Sequence, residues 1–404
     1  MSMSAFRQEL ERLIAQYEEL VTRPNRALEH GNGLCERYEN PVLTRGHAPI
    51  HWRYDLDERD NPFLLERLGV NSTFNPGAIE WNGEIRLIVR VEGVDRKSFF
   101  AVAESHNGID NFRFHGKPVA IPAADDPETN VYDMRLTRHE DGWIYGLFCA
   151  ERKDLTQPDD PSAARADCGI VRTKDMENWE RLPDLISKPQ QRNVVLHPEF
   201  VDGKYVLYTR PADSFISTGR QNGIGWALVD SMEHAVIAEE KIIDARAYHT
   251  VKEVKNGQGP TPIKTPAGWL HVAHGVRGHA CGLRYVLYLF LTDLKDPSRV
   301  AYAPGGHFLS AHGGERRGDT TGNVFCNGAV KRQNGDILIY YGASDTRVNV
   351  VKSSVERLVD YCVNTPPDAG RSSECVRQRI ALIEKNEALI AATDDPLLKA
   401  AMES

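Results

Sequence analysis

Five turn glycines, Gly83, Gly142, Gly203, Gly268 and Gly335, punctuate the chain at intervals of 59, 61, 65 and 67 residues. In four of the five the preceding residue is Asn or Asp, the pairing that most readily supplies the left-handed backbone of a short hairpin turn. The exception is Ala267-Gly268. Extended runs flank each turn, over residues 78–90, 134–149, 199–210, 263–275 and 329–342. A period this even, in a chain of short strands, denotes an array. Each interval holds about four strands of about 5–6 residues with their connections. Such units close radially, because a ring leaves few unpaired sheet edges. The spacing predicts an all-β fold, a five-bladed β-propeller with N- and C-terminal helical extensions, the blades running from about residue 70 to about 355. A large β-sandwich is the competing architecture.

The termini read differently. Phe6, Leu10, Leu13, Ile14, Tyr17 and Leu20 recur at helical steps and stop before Pro24, which gives an N-terminal helix within residues 1–24. It packs on its own domain or serves as an oligomer contact; a homo-oligomer is the expectation. The propeller domain is assigned to residues 25–360. Residues 361–404 form a C-terminal helical segment, with Val376, Ile380, Leu382, Ile383, Leu389 and Ile390 as its apolar positions. Residues 26–75 are loop-rich and contain His47, His51, Trp52 and Arg53. Long ordered loops tend to build sites.

Bulk properties exclude several classes. The formal net charge of −8 gives no basic field for nucleic acid or a lipid surface, so neither nucleic acid nor membrane is an expected partner. An anionic substrate would need a local basic cluster. Seven scattered cysteines with no Cys-x-x-Cys suggest reduced thiols and a cytoplasmic home. The first twenty residues carry no apolar signal core, and no run approaches the ~18 apolar residues of a membrane span.

Polar residues recur where the hairpins begin and end. Asn75, Asp133, His197 and Asn327 stand at entries; Arg90, Arg152, Arg210, His274 and Asp345 stand at exits. In a propeller, hairpin ends on one face converge near the axis. The second hairpin brings Asp133 and Arg152 to the same end of one sheet. Arginine dominates the set, with Arg90, Arg135, Arg152, Arg172 and Arg210. It stays charged and grips phosphate oxygens bidentately. Hydrolytic glycosidases usually pair two carboxylates. One acid beside an anion clamp fits phosphorolysis better, since phosphate brings its own nucleophilic oxygen. Two other readings stay open: a hydrolase with Glu199 or Asp345 as second carboxylate, and a propeller that binds sugar without catalysis. The Gly/Pro loop of residues 255–263 is a tight turn or a place where backbone approaches substrate.

Several motifs jointly resemble glycoside hydrolase family 130. They are Phe74-Asn-Pro-Gly-Ala78, Arg90-Val-Glu92, Tyr132-Asp-Met-Arg135, Gly257-Gln-Gly-Pro-Thr-Pro-Ile-Lys-Thr265, Gly268-Trp-Leu-His-Val-Ala-His-Gly275 and Tyr340-Tyr-Gly-Ala-Ser-Asp345. The resemblance spans about residues 40 to 355 and implies a β-mannoside phosphorylase on a five-bladed propeller. The run Asn130-Val-Tyr-Asp-Met-Arg-Leu136 is most similar to the branch acting on 4-O-β-D-mannosyl-D-glucose. By position, the resemblance makes Asp133 the general acid, passing its proton through the mannose 3-hydroxyl to the glycosidic oxygen. It places Asn75, Arg90, Tyr132 and Asp345 on the sugar, and Arg152, Arg172, His274 and Tyr285 on phosphate. The chain has Pro76 where some relatives have Ser, so no hydroxyl contact is carried over there. The implied partners are a β-mannosyl disaccharide and inorganic phosphate, the latter a co-substrate. No cofactor and no metal is expected. Acceptor preference among glucose, mannose and N-acetylglucosamine is not fixed by these motifs.

Overall fold

The structure, a computed structural model, describes residues 4–28, 31–214, 222–280 and 282–403. Cys281, one of the seven cysteines, lies outside them, as do residues 1–3 of the N-terminal helix assignment and residue 404.

Each predicted hairpin is the start of an antiparallel sheet, and five sheets form the five blades of a propeller. Blade 1 comprises Val70–Trp81, Glu84–Gly93, Ser98–Ser105 and Arg113–Phe114. Blade 2 comprises Asn130–Arg138, Ile144–Lys153, Ala164–Thr173 and Glu180–Leu182. Blade 3 comprises Val195–Leu196, Tyr205–Thr209, Gly223–Val229 and Glu240–Ala245. In blade 4, Lys255–Gln258 and Ile263–Thr265 both pair with Gly268–His279, followed by Gly282–Thr292 and Val300–Tyr302. Blade 5 runs Val324–Lys331, Asp336–Ala343 and Arg347–Ser354.

Two short strands, Glu36–Arg37 and Leu43–Thr44, complete blade 5 by pairing with Arg347–Ser354. The ring is thus closed by a segment far upstream in the chain. This corrects the reading of residues 26–75 as a site-building loop region. Of the described residues in that stretch, only Phe74 and Asn75 reach the cavity described below.

The turns carry the backbone their residues predict. Asn82 and Gly83 both have positive φ, as do Asp202 and Gly203, the pattern of a two-residue hairpin turn. At Gly142 and Gly335 only the glycine is left-handed, because those turns are longer. Gly268 sits at φ +145°, and a side chain there would run into the Thr292 carbonyl. That explains why this position is glycine.

The buried apolar side chains fall into five large groups, one in each gap between neighbouring blades. Strand alternation makes this work. In blade 2, Ile144, Phe148 and Ala150 face blade 1, while Tyr145 and Leu147 face blade 3. Both faces of the sheet are dry, so the middle strands read as near-continuous apolar runs. Truncating one such side chain, Leu147→Ala, would cost about 2–5 kcal/mol.

Helix Ala5–Val21 is capped by Ser4 and buries only Phe6 and Val21. Helix Val355–Asn364 seals the gap between blades 4 and 5 with Leu358 and Cys362. Helix Ser372–Ala391 buries no side chain, leaving Val376, Ile380, Leu382, Ile383 and Leu389 exposed.

Candidate active site

The innermost strands of blades 1, 2 and 5 are each broken by a β-bulge, at Phe74/Gly77, Tyr132/Arg135 and Cys326/Gly328. A bulge turns a side chain out of the sheet's alternation and re-aims it. Asn75 (φ 47°) and Asp133 (φ 60°) occupy two of them in the left-handed region. Asn and Asp are the side chains that visit that region at least cost. Asp345 (φ 56°) is left-handed as well, in the turn that leaves the second strand of blade 5. All three line one cavity of about 1070 Å³ at the propeller axis.

One wall of this cavity is acidic. Asn75 Nδ2 donates to Asp133 Oδ1 at 3.0 Å, and Arg90 Nη1 approaches the same oxygen at 3.3 Å. Arg90 is held in turn by Glu92 at 2.7 Å and Ser98 at 3.0 Å, and its guanidinium stacks between Phe74 and Tyr132. Asp345 is half-buried near Asp133, and desolvation first, then the Asp133 charge, pushes its carboxyl up to about 6.

The other wall is cationic. Arg192, Arg210 and Lys255 line it with Asn193 and Tyr285. Burial first, then the neighbouring Arg192 charge, brings Arg210 down to about 10. Burial first, with Arg210 and Arg192 adding to it, brings the Lys255 ammonium down to about 7. Neither Arg210 nor Lys255 forms an ion pair with a carboxylate among the described residues. Arg210 Nη1 is held from behind, by the Asn193 amide oxygen at 2.7 Å and by His274 Nε2 at 3.3 Å. Complete burial keeps the His274 imidazole neutral and hence able to accept. Tyr132 joins the two walls: Arg192 Nη2 donates to its hydroxyl at 2.8 Å, and that hydroxyl donates to Glu151 at 3.0 Å. Repelling cations held in a concave site constitute a seat for an anion.

A carboxylic acid and a cluster of cations thus line one cavity. The family model for glycoside hydrolase family 130, described as beta-1,4-mannooligosaccharide phosphorylase, matches residues 36–364. The chain belongs to glycoside hydrolase family 130. A relative named 4-O-beta-D-mannosyl-D-glucose phosphorylase, from Bacteroides fragilis, is 60% identical over 385 residues, 95% of this chain and 99% of its own. A beta-1,4-mannooligosaccharide phosphorylase from Ruminococcus albus is 28% identical over 325 residues, 77% of this chain and 90% of its own. Among solved structures, the beta-1,2-mannobiose phosphorylase of Listeria innocua superposes with a TM-score of 0.67 at 22% identity, over 81% of this chain and 99% of that one. This last likeness concerns the fold.

Against this family site, the sequence-derived residues divide. Asn75, Arg90, Tyr132, Asp133, Asp345 and Tyr285 come together around the cavity. His274 lies just behind it, against Arg210. Arg152 and Arg172 do not line it, which corrects their placement on phosphate. Arg152 is at the expected end of the blade 2 hairpin, but alternation sends its neighbour Glu151 to the cavity and Arg152 to the opposite side. There its guanidinium meets Asp126, Glu128, Asp167 and Asp184 at 3.4, 3.5, 3.0 and 2.9 Å, so its charge is fully compensated. Arg172 pairs with Tyr145 in register, next to the hairpin turn and so at the far end of the blade. It binds Glu180 and Glu233 and stacks on Trp143.

The cations that do face the cavity include Arg192 and Lys255, which sequence reasoning passed over. Reading His197 as the entry of blade 3 sets the phase too late. His197 is buried between Tyr208 and Trp269. The usable signal is Arg192-Asn193 immediately before the apolar run Val194-Val195-Leu196, a charge at the mouth of an innermost strand. Lys255 opens the innermost strand of blade 4 in the same way.

Proposed function

We propose that this protein is a 4-O-β-D-mannosyl-D-glucose phosphorylase, converting that disaccharide and inorganic phosphate into α-D-mannose 1-phosphate and D-glucose with inversion. The observation that carries the reading is that Asp133 and the cations Arg192, Arg210 and Lys255 line one cavity. The choice of glucose as acceptor is supported by the 60% identity to the mannosyl-glucose phosphorylase.

In this reading phosphate sits on Arg192, Arg210, Lys255 and Tyr285. One of its oxygens attacks the anomeric carbon from the α face as the bond to glucose O4 breaks. Asp133 delivers a proton to the departing oxygen, by way of the mannose 3-hydroxyl. The proton that phosphate loses on forming its ester restores the Asp133 carboxyl through solvent, so the cycle balances. Asn75, Arg90 and Asp345 hold the mannose. Positioning of phosphate and leaving-group protonation are the two terms that lower an oxocarbenium-like barrier. A hydrolase would place a water-activating carboxylate where this chain has cations. Glu199, a candidate second carboxylate, is bound to Lys264 and is not among the cavity residues.

The deciding experiment incubates the protein with a panel of β-mannosyl disaccharides, with and without phosphate. Glucose release and the appearance of the α-1-phosphate are followed by enzymatic assay and phosphorus NMR. Cleavage at an equal rate in phosphate-free buffer overturns the reading. Preference for mannosyl-mannose overturns only the acceptor.

A further inference from the structure

Arg135 stands two residues after Asp133 on the same innermost strand, and it is 1% exposed. Its guanidinium does not touch the cavity. Nη1 donates to the backbone carbonyl of Asp133 at 2.8 Å, and Nε donates to the carbonyl of Gly259 at 3.3 Å, with Phe325 packed against the face of the group. It pairs with no carboxylate side chain within ion-pair distance among the described residues. Burying a cation on carbonyl oxygens alone is costly, and an apolar side chain of similar length would fill the axis more cheaply. A charge kept under such conditions points to what it holds.

Two things converge on it. The first is the left-handed backbone of Asp133, a conformation that persists only when its surroundings over-determine it. Blade 1 solves the same problem with a neutral side chain: Asn327 Nδ2 donates to the carbonyl of Asn75 at 3.2 Å. The second is the Gly259 carbonyl, which follows the strand Lys255–Gln258 that opens with the cation-wall Lys255. Gly259 is itself anchored, its N–H donating to the Val272 carbonyl at 3.0 Å, and any side chain there would run into the Val272 and Cys326 carbonyls. A single guanidinium therefore ties the strand of the acid to the strand of the anion seat.

We propose that Arg135 is the positioning residue for the general acid: from beneath the cavity it locks the Asp133 bulge and fixes the acid's distance from the phosphate wall. This rests on the reading of Asp133 as proton donor. Misplacement of a reacting group by about 1 Å costs about 100-fold in rate. The loss should fall on proton delivery alone, since Arg135 touches neither sugar nor phosphate.

The test uses the full chain with Arg135→Met and Arg135→Lys, each against two substrates. One is mannosyl-glucose, whose leaving oxygen must be protonated. The other is 2,4-dinitrophenyl β-D-mannoside, whose phenolate leaves without a proton. Arg135→Met is expected to lose about 100-fold in kcat on the disaccharide while losing far less on the aryl mannoside, with the KM for phosphate nearly unchanged. Arg135→Lys should recover part of the loss. Equal losses on both substrates, or a phosphate KM that rises in step, would mean general damage to the site and overturn the proposal; so would no loss at all. If the Met variant does not fold, Arg135→Lys and Arg135→Gln decide by the same ratio. Asp133→Asn serves as reference and must show the same substrate selectivity. If Asp133→Asn keeps its turnover of disaccharide, the acid assignment fails, whatever Arg135 does.

Discussion

Asn75 and Asp133, 58 residues apart, meet across the gap between blades 1 and 2, each on a left-handed bulge, with the amide nitrogen of one 3.0 Å from Oδ1 of the other. Arg90 approaches that same Oδ1. Two donors on one oxygen leave Oδ2 as the oxygen that carries and delivers the proton. Asp133→Asn keeps the shape and tolerates the backbone, but has no proton to give at that position. Its kcat on mannosyl-glucose should fall by about 10²–10⁴, with the thermal midpoint little changed. Retention of wild-type turnover in a glucose-release assay would remove Asp133 from the mechanism.

The two buried arginines of opposite circumstance, Arg210 and Arg152, give a paired prediction. Arg210 has no counter-carboxylate among the described residues and lines the cavity; Arg152 has four carboxylates and does not line it. Arg210→Met should raise the KM for phosphate at least about tenfold, the loss expected of a charge-assisted contact worth about 1.5–3 kcal/mol. Arg152→Met should leave that KM alone and instead destabilise the fold by about 1–3 kcal/mol, because three half-buried carboxylates and the exposed Asp126 lose the cation they share. Steady-state kinetics and denaturant unfolding on the two variants settle it. The reverse pattern would restore Arg152 to the phosphate site.

Much of this architecture is legible in sequence because it is periodic. The turn glycines report blade number directly, and the bulge residues Asn75 and Asp133 stand out as polar groups at the same phase of two blades. What sequence cannot convey is which side of a sheet an adjacent residue takes once a bulge has shifted the alternation. Glu151 and Arg152 are equivalent as letters, and only the register with Asn130 and Val131 sends one inward and the other outward. Ring closure is hidden for a different reason. Glu36–Arg37 and Leu43–Thr44 are two-residue strands, too short to show any period, and their partner lies about 300 residues away.

Lys255 predicts a proton linkage. In the free protein burial first, then Arg210 and Arg192, brings its ammonium down to about 7. A bound phosphate dianion favours the charged form. Above neutrality the free lysine is largely neutral, so phosphate binding must take a proton up from solvent. Calorimetry at about pH 8 in two buffers of different ionisation enthalpy should register that uptake, and Lys255→Met should abolish it. Identical apparent enthalpies in both buffers for the wild type would mean that Lys255 does not face the anion.

Asp345 is placed at a cost to stability. Its carboxyl is raised from 3.8 to about 6, by burial first and then by the charge of Asp133. Between those two values the folded chain holds a proton that the unfolded chain has released. Stability contributed by this group is therefore present at low pH and falls as pH rises through about 6. At neutral pH the ionised side chain works against the fold by about 1–3 kcal/mol. Asp345→Asn should remove this penalty, raising stability at neutral pH while the advantage shrinks toward about pH 4, and it should at the same time impair turnover. Denaturant unfolding of both proteins at the two pH values measures the difference. A variant less stable than wild type at neutral pH would show that Asp345 braces the ring. A more stable and less active one would mean that this carboxylate is retained for its hold on the sugar.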